Sequence, residues 1–216
     1  MRFNKLLAWR FLQLLAGLAA FGVGIGLMVR GALGVAPWDV LAQGVSAASG
    51  ISFGLANVII SCFVLLLWIP LRQKPGIGTV LNALMIGPVA QGVLVLLPEQ
   101  DSIVVRILLL LSGIIFIALG TGMYIGASFG PGPRDGLMTG LNSVTGLPIW
   151  IVRTGIELSV LIVGWILGGD VGVGTVLFAL FIGPLAQPAM VWFNLSGRVA
   201  SAATKKSDDE ADVTKN

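Results

Sequence analysis

Two stretches of this chain set an aspartate two residues after a proline: Ala36-Pro37-Trp38-Asp39 and Gly132-Pro133-Arg134-Asp135. Proline suits the first turn of a helix, and an acidic side chain there offsets the partial positive charge of the helix end. Helices are therefore predicted to start near Pro37 and Pro133 and to stop at Gly50 and Gly146. Such helices are about 13 residues long, whereas crossing a bilayer takes about 20. Asp39, Gln43 and Ser46 then share one helix face, as do Asp135, Thr139 and Asn142. Two arrangements account for that pattern. The half-helices enter the membrane from opposite sides with their polar stripe toward a central pathway, or they lie flat on the surface and the aspartates only offset the dipole. As an acid–base pair the two aspartates would do enzyme chemistry, but their expected positions on opposite faces argue against it. No enzyme activity is expected.

A second group of polar residues lies within long apolar runs. Arg153 and Glu157 are four apart in IWIVRTGIELSVLIVGW and so share a helix face. Ionisable groups at membrane depth usually point into the bundle and mark function. Arg153 sits close enough to the end of its run to reach the surface, which leaves Glu157 as the deeper protonatable or cation-pairing group. A static Arg153–Glu157 pair is the alternative. The segments GTVLNALMIGPVAQ (78–91) and GTVLFALFIGPLAQ (174–187) each carry a Gly-Pro pair, Gly87-Pro88 and Gly183-Pro184, followed by an amide, Gln91 and Gln187; the first also holds Asn82. Proline frees a carbonyl one turn earlier, and at membrane depth a freed carbonyl is tolerated where protein or a water-filled cavity satisfies it. These are read as helix breaks lining a site, with a simple packing kink as the bland alternative.

The elements that must position these residues are membrane helices. Of the 216 residues 56% are hydrophobic and 11% charged, where a soluble domain has about a quarter charged. Nearly uncharged runs cover about 11–29, 53–71, 77–97, 107–127, 148–169 and 173–195, each long enough to cross a hydrocarbon core. The chain has no histidine and a single cysteine, Cys62, so no metal site, cofactor or His-dependent nucleophile is expected, and Cys62 reads as a packing residue. Trp9, Trp68, Trp150, Trp165 and Trp192 fall near run ends, as interfacial anchors do.

Shifting the chain by 96 residues aligns Gly17–Gln91 with Gly113–Gln187 without a gap, and 25 of the 75 positions are identical. Identity at Pro37/Pro133, Asp39/Asp135, Thr79/Thr175, Pro88/Pro184 and Gln91/Gln187 marks an internal duplication. Three spans per copy, an odd number, make the copies inverted. That arrangement suits alternating access in transporters and also occurs in channels. The expected fold is an all-α membrane protein: six transmembrane helices in two inverted three-helix repeats, each with a short re-entrant or interfacial half-helix. The expected divisions are a basic N-terminus at 1–10, repeats at 11–97 and 98–195, and a disordered tail at 196–216. Arg2, Lys5, Arg10, Arg72, Lys74, Arg134, Arg198, Lys205 and Lys206 fall on one side of this topology, which places both termini in the cytoplasm.

At APWDVL, GPRDGLM and the repeated GTVL-AL-IGP-AQ pattern, the chain resembles the YczE/YitT-like group of bacterial integral membrane proteins over about residues 6–195. The resemblance implies a small bacterial cytoplasmic-membrane protein with a duplicated core. One member is associated with production of a secreted peptide or polyketide metabolite, which suits an exporter or an accessory to a synthesis complex. The family offers no agreed binding residues to carry over.

Taken together, the expected function is a secondary transporter, or a channel, for a small solute. Asp39, Asp135, Gln91, Gln187 and Glu157 would line its path, and a non-transporting accessory or scaffold protein is the alternative. No nucleotide-binding loop is present to supply ATP. The expected partners are the lipid bilayer and the solute, with a homodimer or another membrane protein beyond them, and no nucleic acid.

Overall fold

The computed structural model describes residues 2–194. They form eight α-helices and, among the described residues, no strand: α1 (Arg2–Gly31), α2 (Pro37–Ser49), α3 (Phe53–Leu67), α4 (Ile77–Leu96), α5 (Ile103–Gly126), α6 (Pro133–Thr145), α7 (Ile149–Ile166) and α8 (Val173–Phe193). Helices α1, α4, α5, α7 and α8 are long and apolar enough to cross a membrane, and α2 with α3, bent by 115° between them, makes a sixth if the pair is one span. The protein is therefore an all-α, multi-pass membrane protein. The tail at 196–216 lies outside the described residues.

The centre of the bundle is a close crossing of α1 and α5. A methyl group on Gly17 would stand 2.7 Å from the Tyr124 nitrogen, and one on Gly24 would stand 2.7 Å from the Gly113 carbonyl oxygen. As residue numbers rise along α1 they fall along α5, so the two run antiparallel. The intervening glycines turn elsewhere. Gly22 and Gly26 let α4 approach α1, and Gly122 and Gly126 let α8 approach α5. Without a hydrophobic drive between helices in lipid, association depends on such close backbone contact.

Two basic residues clasp the ends of this pair. Arg10 donates through Nε to the Ala127 carbonyl at 3.0 Å and through Nη2 to that of Ser128. Arg106 does the same to Gly31, at 2.8 Å, and to Ala32. Each arginine thus satisfies carbonyls that the end of the opposite helix leaves without intrahelical donors. The loops repeat the exchange, with Gly78 N–H donating to Phe129 O at 2.9 Å and Gly174 N–H to Leu33 O at 2.7 Å.

Several sequence expectations are corrected. Helices α4 and α8 run without interruption through Pro88 and Pro184, so Gly87-Pro88 and Gly183-Pro184 are prolines within continuous helices, not breaks. A membrane helix tolerates a missing N–H where neighbouring groups or small backbone adjustments re-satisfy the freed carbonyl. The run at 53–71 is helical only to Leu67; turns follow through Arg72, whose φ is +53°, with Pro70 unable to extend the helical ladder. Trp9, Trp150, Trp165 and Trp192 are exposed, but Trp68 is buried, its ring packed against Gly136 and its indole N–H donating to Pro133 O at 3.0 Å. Cys62 is exposed and packs no core.

The crossing yields a stability test. Gly24→Val should lower unfolding stability in detergent by about 1–3 kcal/mol, the usual cost of forcing bulk into a filled contact. Gly92→Ala, where a methyl group meets nothing within 4 Å, should be neutral or slightly stabilising. Equal melting temperatures for the two variants would show that α1 and α5 are not held this closely.

Candidate functional site

Helices α2 and α6 begin in the same way. Each has proline in its first turn, an acidic residue behind it and no side-chain cap, and the proline removes one of the N–H groups that a helix start leaves without an intrahelical partner. The approach to each needs glycine. Gly34 (φ +104°) and Gly130 (φ +118°) adopt backbone angles that suit no side chain, and each lies against the chain before α8 or α4. Thr79 fixes one of these corners, accepting from Gly76 N–H at 3.1 Å and donating to Pro131 O at 2.7 Å; Thr175 accepts from Gly172 N–H at the other.

A cavity of about 340 Å³ lies where the two helix starts meet. Asn57, Ser61, Asn82, Thr121, Tyr124, Arg134, Asp135, Arg153 and Glu157 supply its polar lining, and Phe21, Trp38 and Phe178 its aromatic walls. Asp39 is buried behind this lining at 2% exposure. Arg134 pairs with it at 3.4 Å and the Asn57 amide stands 3.5 Å away. The Arg134 guanidinium lies 5.2 Å from the Trp38 ring centroid, a cation–π distance. Asp135 accepts a 2.6 Å hydrogen bond from the Tyr124 hydroxyl. Gly132 leaves room for this group: a methyl there would stand 3.0 Å from Asp135 Oδ2 and 3.2 Å from both the Asn82 amide nitrogen and the Tyr124 oxygen. Arg153 and Glu157 form their own pair at 2.9 Å on the cavity wall. A larger recess of about 680 Å³ between α2, α3, α6 and α7 is almost wholly apolar. Among the described residues no cluster of three acidic, Cys or His side chains could hold a metal ion.

Not every expected residue reaches the cavity. Gln43 instead ties the α7–α8 loop, accepting from Asp170 N–H at 3.0 Å. Asn142 donates to Leu147 O at 2.6 Å, as Ser46 does to Ile51 O at 2.7 Å, so both fasten the turns after α6 and α2. Thr139 donates to Gly136 O within its own helix. Gln91 accepts from Gly54 N–H at 3.1 Å between α3 and α4, while Gln187 is exposed. The polar stripe is therefore split: Asp39 and Asp135 stand at the cavity or behind its lining, Gln43, Ser46 and Asn142 hold loops and turns, and Thr139 bonds within its own helix. Tyr124 and Trp38 were not expected as site residues. The only tyrosine of the chain, set inside an apolar run, is the signal that could have found the former.

Comparison with known proteins leaves the chemistry open. Residues 8–190 match the model of a family of unknown function, DUF6198. The chain is 40% identical to an uncharacterised protein of Haemophilus influenzae over 81% of its own length and 80% of that protein. It is 33% identical to the uncharacterised membrane protein YczE of Bacillus subtilis over 85% of each chain, and 27% identical to the uncharacterised protein YyaS of Bacillus subtilis over 81% of this chain and 89% of that one. No solved structure matches.

The buried pair predicts a coupling. Arg134→Leu leaves Asp39 without its counter-charge and should cost about 3–5 kcal/mol of stability, while the double variant Asp39→Asn/Arg134→Leu should recover much of that loss. Thermal melts of the two single variants and the double in detergent measure the coupling. Additive losses would mean that the two side chains do not depend on each other.

Proposed function

The chain belongs to the family of unknown function DUF6198, and we propose that it is a carrier that moves a small solute across the bacterial cytoplasmic membrane through two inverted repeats. The repeats are residues 11–97 and 98–195, with six spans between them, and α2 and α6 are half-helices entering from opposite faces. The starts of α2 and α6, of α3 and α7 and of α4 and α8, each pair 96 residues apart, the antiparallel α1–α5 crossing and the reciprocal arginine clasps support that relation. The excess of basic residues in the segments that include Arg10, Arg72 and Lys74 supports cytoplasmic termini.

The observation that carries the reading is a difference between two equivalent seams. In the first half α3 lies tightly on α4: the Gly54 and Gly87 backbones touch, and Gln91 accepts from Gly54 N–H. In the second half α7 stands away from α8. Gly183, the counterpart of Gly87, is exposed and has nothing within 4 Å, and it lines the charged cavity. One gate is shut and its twin is open, which is what alternating access requires of a single state. A channel would need a path through both seams at once. Trp150 stands where the first half has Gly54, so the open seam would close over an indole ring rather than by backbone contact.

Thiol labelling in intact cells, where the natural solute is present, tests this in a Cys62→Ser background. Gly183→Cys should react readily with a reagent reaching it from the cytoplasm. Gln91→Cys should react more slowly with an impermeant reagent added outside, as the α3–α4 seam opens in turnover. If Gln91→Cys never reacts while Gly183→Cys does, the seams do not exchange and the protein is a static accessory with a one-sided cavity.

A further inference from the structure

We propose that the solute is a small organic cation bearing an N–H bond, a protonated amine, and that Asp135 selects it. This inference rests on the carrier reading and adds the chemical class of its cargo. It follows from charge balance at a place where charge is costly to leave alone. Five acidic or basic side chains line or border the cavity, Asp39, Arg134, Asp135, Arg153 and Glu157, and only two of them are cations. Both are already paired, Arg134 with Asp39 at 3.4 Å and Arg153 with Glu157 at 2.9 Å.

Asp135 shares the cavity with these two pairs but forms no ion pair of its own among the described residues. The Tyr124 hydroxyl donates to its Oδ2 at 2.6 Å, and the Asn82 amide lies close by across Gly132. Among the described residues no Lys or Arg nitrogen comes within 4.0 Å of it. A phenol hydrogen bond orients a carboxylate without cancelling its charge, and ionisable groups at membrane depth are held by partners of opposite charge. The absent partner is supplied by the cargo. Its N–H would donate to the Asp135 oxygen that Tyr124 does not occupy.

The walls suit the same ligand. Phe21 and Tyr124 stand edge to face with ring centroids 6.1 Å apart, and Trp38 already holds one cation, the Arg134 guanidinium, over its ring. Aromatic faces attract ammonium groups. A cavity of about 340 Å³ suits a cargo of small-metabolite size. An anion of that size would meet Asp135 and two arginines whose charge is already engaged.

Three probes of one shape and different charge decide the matter: 2-phenylethylammonium, 2-phenylethanol and phenylacetate, each titrated into the purified full-length protein in detergent and followed by melting temperature and calorimetry. The ammonium should raise the melting temperature in a saturable way and the other two should not. Asp135→Asn should weaken ammonium binding by about thirtyfold or more, the loss that follows from removing one side of a desolvated charged hydrogen bond. Tyr124→Phe keeps the carboxylate and should retain the preference for the ammonium, which preserves the test if Asp135→Asn fails to fold. The proposal is overturned if the alcohol or phenylacetate binds as well as the ammonium, if a folded Asp135→Asn keeps its affinity, or if the ammonium gives no shift. Labelling at Gly183→Cys and Gln91→Cys separates the two readings. Exchange of the seams without ammonium binding removes the amine and leaves the carrier, whereas binding without exchange removes the carrier.

Discussion

Two helices that approach each other through glycine set the terms for the rest of this molecule. At the α1–α5 crossing Gly17, Gly24, Gly113 and Gly120 bring backbone against backbone. Contact that close fixes the relative rotation and height of both helices. Because α1 receives α4 on its alternate glycines and α5 receives α8 on its own, four long helices are placed by one geometric condition. Lipid offers tails as apolar as any leucine, so this contact has to come from fit.

The cavity exists because this frame leaves the shorter elements no other place to start. Tyr124 lies on α5 one turn beyond Gly120, and the loop after it must double back at Gly130 before α6 begins at Pro133. The counterpart loop does the same at Gly34. The starts of α2 and α6 then lie together at the cavity, each with its acidic residue in the first turn. Asp39 meets Arg134 from the opposite repeat, so one buried ion pair joins the halves across the cavity wall. Pairing across the wall also accounts for chemically unlike halves: arginine stands in one copy where the other has Trp38, and the two stack.

Much of this was legible in the chain. Pro37, Pro133, Gly50 and Gly146 mark the short helices to the residue, since proline and glycine act through local backbone geometry that lipid does not change. The duplication needed only the alignment of the chain with itself. Partners across space were not legible. Periodicity places Gln43 and Asn142 on the face of their aspartates, but not the loops that fold back to claim their hydrogen bonds. Trp68 has the look of an interfacial anchor, and only tertiary packing on Gly136 buries it. The Gly-Pro pairs misled for the opposite reason: a local rule was overridden by a helix whose remaining bonds suffice.

The reciprocal clasps of Arg10 and Arg106 have a consequence for biogenesis. Each arginine performs for the other half the service it receives, so this pair of contacts carries no label that distinguishes one face of the bilayer from the other. Orientation in the membrane must then come from elsewhere, and basic residues in short loops, such as Arg72 and Lys74 here, are what generally sets it. A chain threaded the wrong way up would still find its central contacts. It would fold with its cavity turned toward the other side of the bilayer.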